Sequence, residues 1–202
     1  NGVYLILGGA GGIGMELCRY LAKNYRARLI LIGRREPDVE KRSSMEALRA
    51  LGGDYLYLRA DATNSAQFRE TVATAKQKFG AIHGAIHSAA VLDGKLLIRM
   101  DEASFLNAFE SKSLGTIALG EALRDEALDF VALFSSAGVL AQPITQSNYA
   151  AGCLFKDSYA AVLKRDLRCP VFTINWGFWG GVGLVASEDE AKRFTEYGYR
   201  PI

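Results

Sequence analysis

Continuous apolar runs alternate with helical patterns along almost the whole chain, and this alternation limits the fold more than any single motif. The strand-like runs are Val3–Leu7, Arg28–Ile32, Tyr55–Arg59, Ile82–His87, Asp129–Phe134 and Val171–Asn175. Between and after them the spacing predicts helices over Gly12–Asn24, Ser43–Leu51, Ser65–Phe79, Asp101–Glu126, Ser147–Leu167 and Ser187–Tyr197. Strands that are apolar throughout, each followed by a helix, are buried on both faces and lie parallel. The expected fold is therefore α/β, a doubly wound parallel sheet with helices on both faces, its last strand expected beyond Arg200-Pro201-Ile202. The chain reads as one domain excised from a longer polypeptide, and such a piece should be poorly soluble or unstable alone.

The first turn, Leu7-Gly8-Gly9-Ala10-Gly11-Gly12-Ile13-Gly14, follows a strand and opens a helix. Glycines there let backbone approach a pyrophosphate, and the helix N-terminus offers free N–H groups to its charge. The spacing Gly8-x-x-x-Gly12-x-Gly14 resembles the short-chain dehydrogenase/reductase pattern more than the longer Rossmann fingerprint. The second strand ends in Gly33-Arg34-Arg35. A carboxylate at this point suits a ribose diol and arginine suits a 2′-phosphate, so the two arginines favour NADPH over NADH. Asp61, in Ala60-Asp61-Ala62-Thr63, suits either an adenine amino group or a simple turn into the next helix. Ser88, Ala89 and Ala90 are small enough to let a cofactor lie flat, and His87 before them reads as structural.

Bulk properties exclude several classes. The 202 residues are 50% hydrophobic and 23% charged, with a formal net charge of +2, which leaves no electrostatic footprint for nucleic acid or a membrane surface. No uncharged run approaches the roughly 18–20 apolar residues of a membrane span. The first residues form a strand and lack the charged region and cleavage site of a signal peptide. Cys18, Cys153 and Cys169 have no metal-ligand spacing and suit reduced thiols in the cytoplasm.

Chemistry concentrates between Phe134 and Ser158. Ser136 follows an apolar strand, and Tyr149 stands at an Ala-rich helical start. Each alone reads as a loop hydroxyl or a half-buried ring. Together, at the carboxyl edge of a parallel sheet, they can converge on one small polar group. On the helix before that strand, Lys112 falls within an apolar stripe of Phe105, Ala108, Phe109, Leu119, Ala122 and Leu123. It either snorkels to water or points into the cleft, where its charge would lower a neighbouring phenol's pKa, with Gly115 leaving it room.

These residues, with Val91-Leu92-Asp93, Tyr149-Ala150-Ala151 and Asn175-Trp176-Gly177, resemble the catalytic half of a ketoreductase domain from modular polyketide synthases. The resemblance runs over the whole chain. It implies NADPH as cofactor, held by Gly8 to Gly14, Arg34, Arg35, Asp61, Ala62, Ser88, Ala89, Ala90, Lys112, Tyr149, Trp176 and Gly177. It implies Tyr149, Ser136 and Lys112 as catalytic groups reducing the β-keto group of a chain tethered to an acyl carrier protein. In this family the lysine sits on the helix before the serine strand, where a free-standing reductase places it one turn after the tyrosine. Lys156 lies two turns beyond Tyr149, roughly 10 Å along the axis, and cannot substitute.

Two departures stand out. Cys153 replaces the family's usual Asn in the proton relay, so Cys153→Asn should keep or improve activity, and Ala90 replaces a glycine. Leu92-Asp93-Gly94 keeps part of the Leu-Asp-Asp signature of one product hand, and Ala141 stands where the other hand has tryptophan. The wording Gln146-Ser147-Asn148-Tyr149-Ala150-Ala151-Gly152-Cys153, then Phe155-Lys156-Asp157, is similar to synthases whose acyltransferases act in trans. The implied partners are the carrier protein, an N-terminal structural half and neighbouring synthase domains. A free-standing short-chain reductase and a catalytically inert scaffold are the competing readings.

Overall fold

The computed structural model describes residues 2–141 and 144–183, together with Lys192, Thr195, Glu196, Gly198, Arg200 and Ile202. The helix expected over Ser187–Tyr197 falls largely outside the described residues.

In chain order the elements are β1 (Val3–Leu7), α1 (Gly12–Tyr25), β2 (Arg28–Gly33), α2 (Val39–Ala50), β3 (Asp54–Arg59), α3 (Ser65–Phe79) and β4 (Gly84–His87). A 3₁₀ turn at Leu97–Arg99 leads to α4 (Glu102–Ala122), β5 (Phe130–Ser136), α5 (Gly138–Ala141), α6 (Ser147–Leu167) and β6 (Val171–Trp176). The strands form one sheet in the order β3-β2-β1-β4-β5-β6, every neighbouring pair parallel. The order reverses between β1 and β4, which opens a crevice at their carboxyl ends where doubly wound sheets take ligands.

Alternation within the strands sends side chains to two cores, one on each face. Leu5, Ile30 and Leu133 pack with Phe68, Leu119 and Leu163 from α3, α4 and α6. Ile6, Leu31 and Phe134 pack with Met15, Cys18, Met45 and Leu48 from α1 and α2. At the edge strand β6, Phe172 remains 54% exposed.

Most boundaries fall within a residue or two of those expected, and the larger shifts have local causes. α2 begins at Val39 because the Asp38 carboxylate accepts from the Lys41 amide at 2.8 Å, a side-chain cap ahead of any apolar periodicity. β5 runs on to Ser136 because Ser135 and Ser136 pair with Asn175 and Trp176 of β6. That extension puts Ser136 on the last residue of a strand instead of in a loop. The apolar stripe expected along α4 is buried at Ala108, Leu119 and Leu123, and the buried face is broader than expected, taking in Lys112, Ser113, Gly115, Thr116, Ala118 and Gly120. Asn107, Leu114 and Glu121 remain exposed on the opposite face.

Candidate active site

The turn from β1 into α1 is built on glycine for steric reasons. Gly8 has φ +85, and a Cβ there would sit 2.6 Å from the Ala89 amide nitrogen. A Cβ on Gly14 would lie 2.5 Å from the Gly8 carbonyl oxygen. The turn thus packs against the loop after β4, and Ser88 locks the contact by donating its hydroxyl to the Leu7 carbonyl at 3.0 Å. The N-cap of α1 is Gly11, which offers no side-chain cap, so the helix's first N–H groups stay open to an anion.

A cleft of about 1350 Å³ opens above this turn. It is lined by Gly8, Ala10 to Gly14, Arg34, Arg35, Asp61, Ala62, Ser88 to Ala90, Lys112, Ser136, Tyr149, Trp176 and Gly177. Of the residues read as holding a cofactor, only Gly9 does not line it, because it packs inward against Leu31 and Ile6. Arg34 and Arg35 are exposed, and neither side chain has a partner among the described residues. The nearby acid, Glu36, faces Arg42 and Arg59 at 3.8 and 3.9 Å instead. Asp61 forms the turn foreseen for it. Its Oδ1 accepts from the Thr63 amide and hydroxyl to form the turn, while the residue still borders the cleft. These features fit a nicotinamide dinucleotide: an anion-binding turn, small residues along the floor and cations at the adenosine end.

Lys112, Ser136 and Tyr149 meet at the cleft's inner wall. The Lys112 Nζ sits 4.3 Å from the centre of the Tyr149 ring, and the lysine is 1% exposed. Ser136 stands beside the phenol and acts to lower its pKa, and its hydroxyl oxygen accepts from the Gly138 amide at 3.1 Å. Cys153, one turn along α6 from Tyr149, is fully buried and interacts with both Lys112 and the phenol. All four residues read as catalytic therefore come together.

The electrostatics differ from the expected direction. Burial, then the Cys153 sulfur, pushes the Tyr149 phenol well above its ordinary pKa, and only the Ser136 hydrogen bond opposes this. Lys112 was expected to lower that pKa, but burial dominates the phenol and lowers the lysine's own pKa as well. Room for Lys112 also comes from a different glycine. A Cβ on Gly152 of α6 would lie 2.8 Å from the Lys112 Cδ, whereas Gly115 makes room for the His87 ring. His87 is structural, as expected, being fully buried beneath the site.

Asn148 was not singled out by its sequence. Its side chain is fully buried and donates to the carbonyls of Asp93 and Ser104, both at 2.9 Å, fixing the start of α6 to the loop after β4 and to α4. An Asn beside a candidate tyrosine was the available signal. Asp93 turns its carboxylate to Asn107 at 3.3 Å, and Leu92 and Gly94 border the cleft.

Known proteins resemble this chain in sequence and fold. The chain is 40% identical over its full length to polyketide synthase PksN of Bacillus subtilis and 39% identical to polyketide synthase ThaG of Burkholderia thailandensis, spanning 4% of each of those proteins. A crystal structure of a ketoreductase domain from the bacillaene assembly line superposes with a TM-score of 0.93 at 29% identity, over 100% of this chain and 50% of that one. An N-terminal ketoreductase from the macrolactin assembly line gives 0.85 at 34% identity, over 89% of this chain and 37% of that one. A family model described as KR domain matches residues 2–181, and with the fold in agreement the chain belongs to the KR, or ketoreductase, domain family of polyketide synthases.

Proposed function

We propose that the chain is an active NADPH-dependent reductase, converting the β-keto group of a thioester-linked acyl chain on an acyl carrier protein to a β-hydroxyl. One observation carries this reading: the Lys112 amine over the Tyr149 ring, with Ser136 on the same cleft wall, in a cleft whose other end is the glycine turn.

Bound NADPH would supply the hydride that reaches the β-carbon. As negative charge develops on the carbonyl oxygen, Tyr149 donates its O–H proton to it, and the Ser136 hydroxyl donates a hydrogen bond to the same oxygen. The Gly138 amide orients that hydroxyl from behind. Lys112 holds positive charge beside the phenolate left by proton transfer, in a site dry enough for the attraction to be strong. A complete set of these groups argues against an inert scaffold, and Lys112 in place of a lysine one turn after Tyr149 argues against a free-standing reductase.

Specificity for NADPH is supported by the unpaired Arg34 and Arg35. A charge-assisted contact to a 2′-phosphate contributes about 1.5–3 kcal/mol. Arg34→Ala should then raise the NADPH dissociation constant by about tenfold or more and leave NADH nearly unchanged. Equal weakening of both in a fluorescence titration would remove the assignment.

The larger setting follows from the relatives. We place the chain inside a multidomain cytoplasmic synthase, with an N-terminal structural half and neighbouring domains, of the kind whose acyltransferases act in trans. The exposed edge at Phe172 and the buried free thiols of Cys18, Cys153 and Cys169 suit that setting. Among the described residues no helix is long and apolar enough to cross a membrane, and no group of side chains suits a metal ion. The test is NADPH oxidation with a β-ketoacyl thioester surrogate. Turnover is expected, and silence from protein that binds NADPH would return the decision to the scaffold.

A further inference from the structure

Two turns along α6 from Tyr149, Lys156 is fully buried and takes no part in the chemistry above. Its Nζ lies 3.1 Å from His87 Nδ1, 3.2 Å from the His87 carbonyl oxygen and 3.1 Å from the Phe134 carbonyl oxygen. The amine thus donates to two carbonyls and meets the ring nitrogen as a third partner. Burying an amine this deeply is costly, and apolar side chains of similar volume often serve stability as well or better. Burial and the charge of Lys112 hold its pKa well below the ordinary lysine value.

The acceptors identify what the amine ties together. His87 ends β4, and the cleft-lining Ser88, Ala89 and Ala90 follow it directly. Phe134 stands two residues before Ser136 on β5, the strand hydrogen-bonded to β4, where His87 pairs with Leu133. Tyr149, Cys153 and Lys156 share one face of α6 at i, i+4 and i+7. The His87 ring completes the set, because its Nε2 would be 3.0 Å from a Cβ on Gly115 of α4, one turn from Lys112. One nitrogen thus connects the tyrosine helix to both strand ends and, through His87, to the lysine helix.

We infer that Lys156 is a positioning residue for the reduction, fixing α6 against the ends of β4 and β5 so that the Tyr149 phenol, the Ser136 hydroxyl and the Ser88–Ala90 loop keep their reacting geometry. An apolar side chain would fill the space and leave that register free. Displacements of about 1 Å at a reacting centre can cost up to 10²-fold in rate, so the effect should appear in turnover more than in binding. The inference rests on the reductase reading for its kinetic test.

The experiment compares Lys156→Met and Lys156→Gln with the unmodified protein, using NADPH and a β-ketoacyl thioester surrogate. Lys156→Met should lower kcat by about 10- to 100-fold, leave the surrogate KM within about threefold and leave the melting temperature unchanged or higher. Lys156→Gln keeps an N–H donor on a shorter stem and should recover part of the lost kcat. Full kcat in Lys156→Met, a loss that only tracks the folded fraction, or no recovery in Lys156→Gln would overturn the inference. Should Lys156→Met fail to fold, Lys156→Gln alone is compared, and undiminished kcat there overturns it. A silent unmodified protein would end the reductase reading, and amide hydrogen exchange then decides. Faster exchange at Ser88–Ala90 and Ser135–Ala137, with β1 and β2 unchanged, supports the tie, and unaltered exchange overturns it.

Discussion

Tyr149 has to hold its proton until a carbonyl oxygen needs it, and its surroundings favour the first half of that task. Burial keeps the phenol protonated far above neutral pH, so the donor is charged with its proton at every working pH. Release then depends on groups that stabilise the phenolate, and Lys112 and Ser136 are the two in contact. Tyr149→Phe removes the proton and keeps the ring beneath the Lys112 amine. Turnover of the thioester surrogate should fall by about 10² or more, while cofactor binding survives. Unchanged turnover would discard the proton-donor role. Ser136→Ala should be milder, since one neutral hydrogen bond is lost and the proton remains.

Helix spacing decides which glycine makes room for which lysine, and here the relevant neighbour is on the other helix. α4 and α6 approach so closely that a Cβ on Gly152 would lie 2.8, 3.1 and 3.4 Å from Lys112 Cδ, Cβ and Cγ. Gly152→Ala should therefore displace Lys112 from the Tyr149 ring, with a stability cost of about 1–3 kcal/mol for overpacking and a loss of turnover. A chemical melt paired with the surrogate assay checks both, and wild-type turnover would show the lysine tolerates the methyl. Lys112, Ser136 and Tyr149 line one cleft, as expected of them, although the residues alone left Lys112 free to snorkel and only the family resemblance turned it inward. The sequence could not place the Gly152 contact, because periodicity along α4 does not say which residue of α6 lies opposite. For the same reason Lys156 was legible only by its distance from Tyr149, whereas its partners are strand-end carbonyls that no side-chain pattern reports. The sheet was legible almost throughout, since apolar strands and the alternation of units leave few alternatives. The end of β5 at Ser136 depended on pairing with β6, which only the assembled sheet supplies.

Across the whole molecule, two buried amines from two helices face one imidazole on the sheet. His87 on β4 faces Lys156 of α6 and Lys112 of α4, and the Asp157 carboxylate partly offsets the two lysines. Burial first, then the charges of Lys156 and Lys112, holds the His87 pKa well below 6.5. An unfolded chain has a histidine of ordinary pKa. Above pH 6.5 both states leave this imidazole neutral, so it adds no pH dependence there. As pH falls below 6.5, the unfolded chain binds a proton that the folded chain refuses, and folding weakens. The slope from this one group approaches about 1.4 kcal/mol per pH unit until the folded pKa is reached. The lysines act in the opposite region. With folded pKa values below 10.5, they make stability rise with pH between their folded values and 10.5. Acid sensitivity should therefore set in at mildly acidic pH, before the carboxylates whose pKa values lie lower still begin to titrate. His87→Gln separates this contribution from every other group. The variant should be less stable at pH 7, having lost the imidazole that meets Lys156, but its stability should fall less steeply between pH 6.5 and 5.5. Urea melts of both proteins at pH 7, 6.5, 6 and 5.5 give the two slopes. The difference should come to about 1 kcal/mol between pH 6.5 and 5.5, and parallel slopes would mean that His87 accepts a proton in the folded state as readily as in the unfolded one.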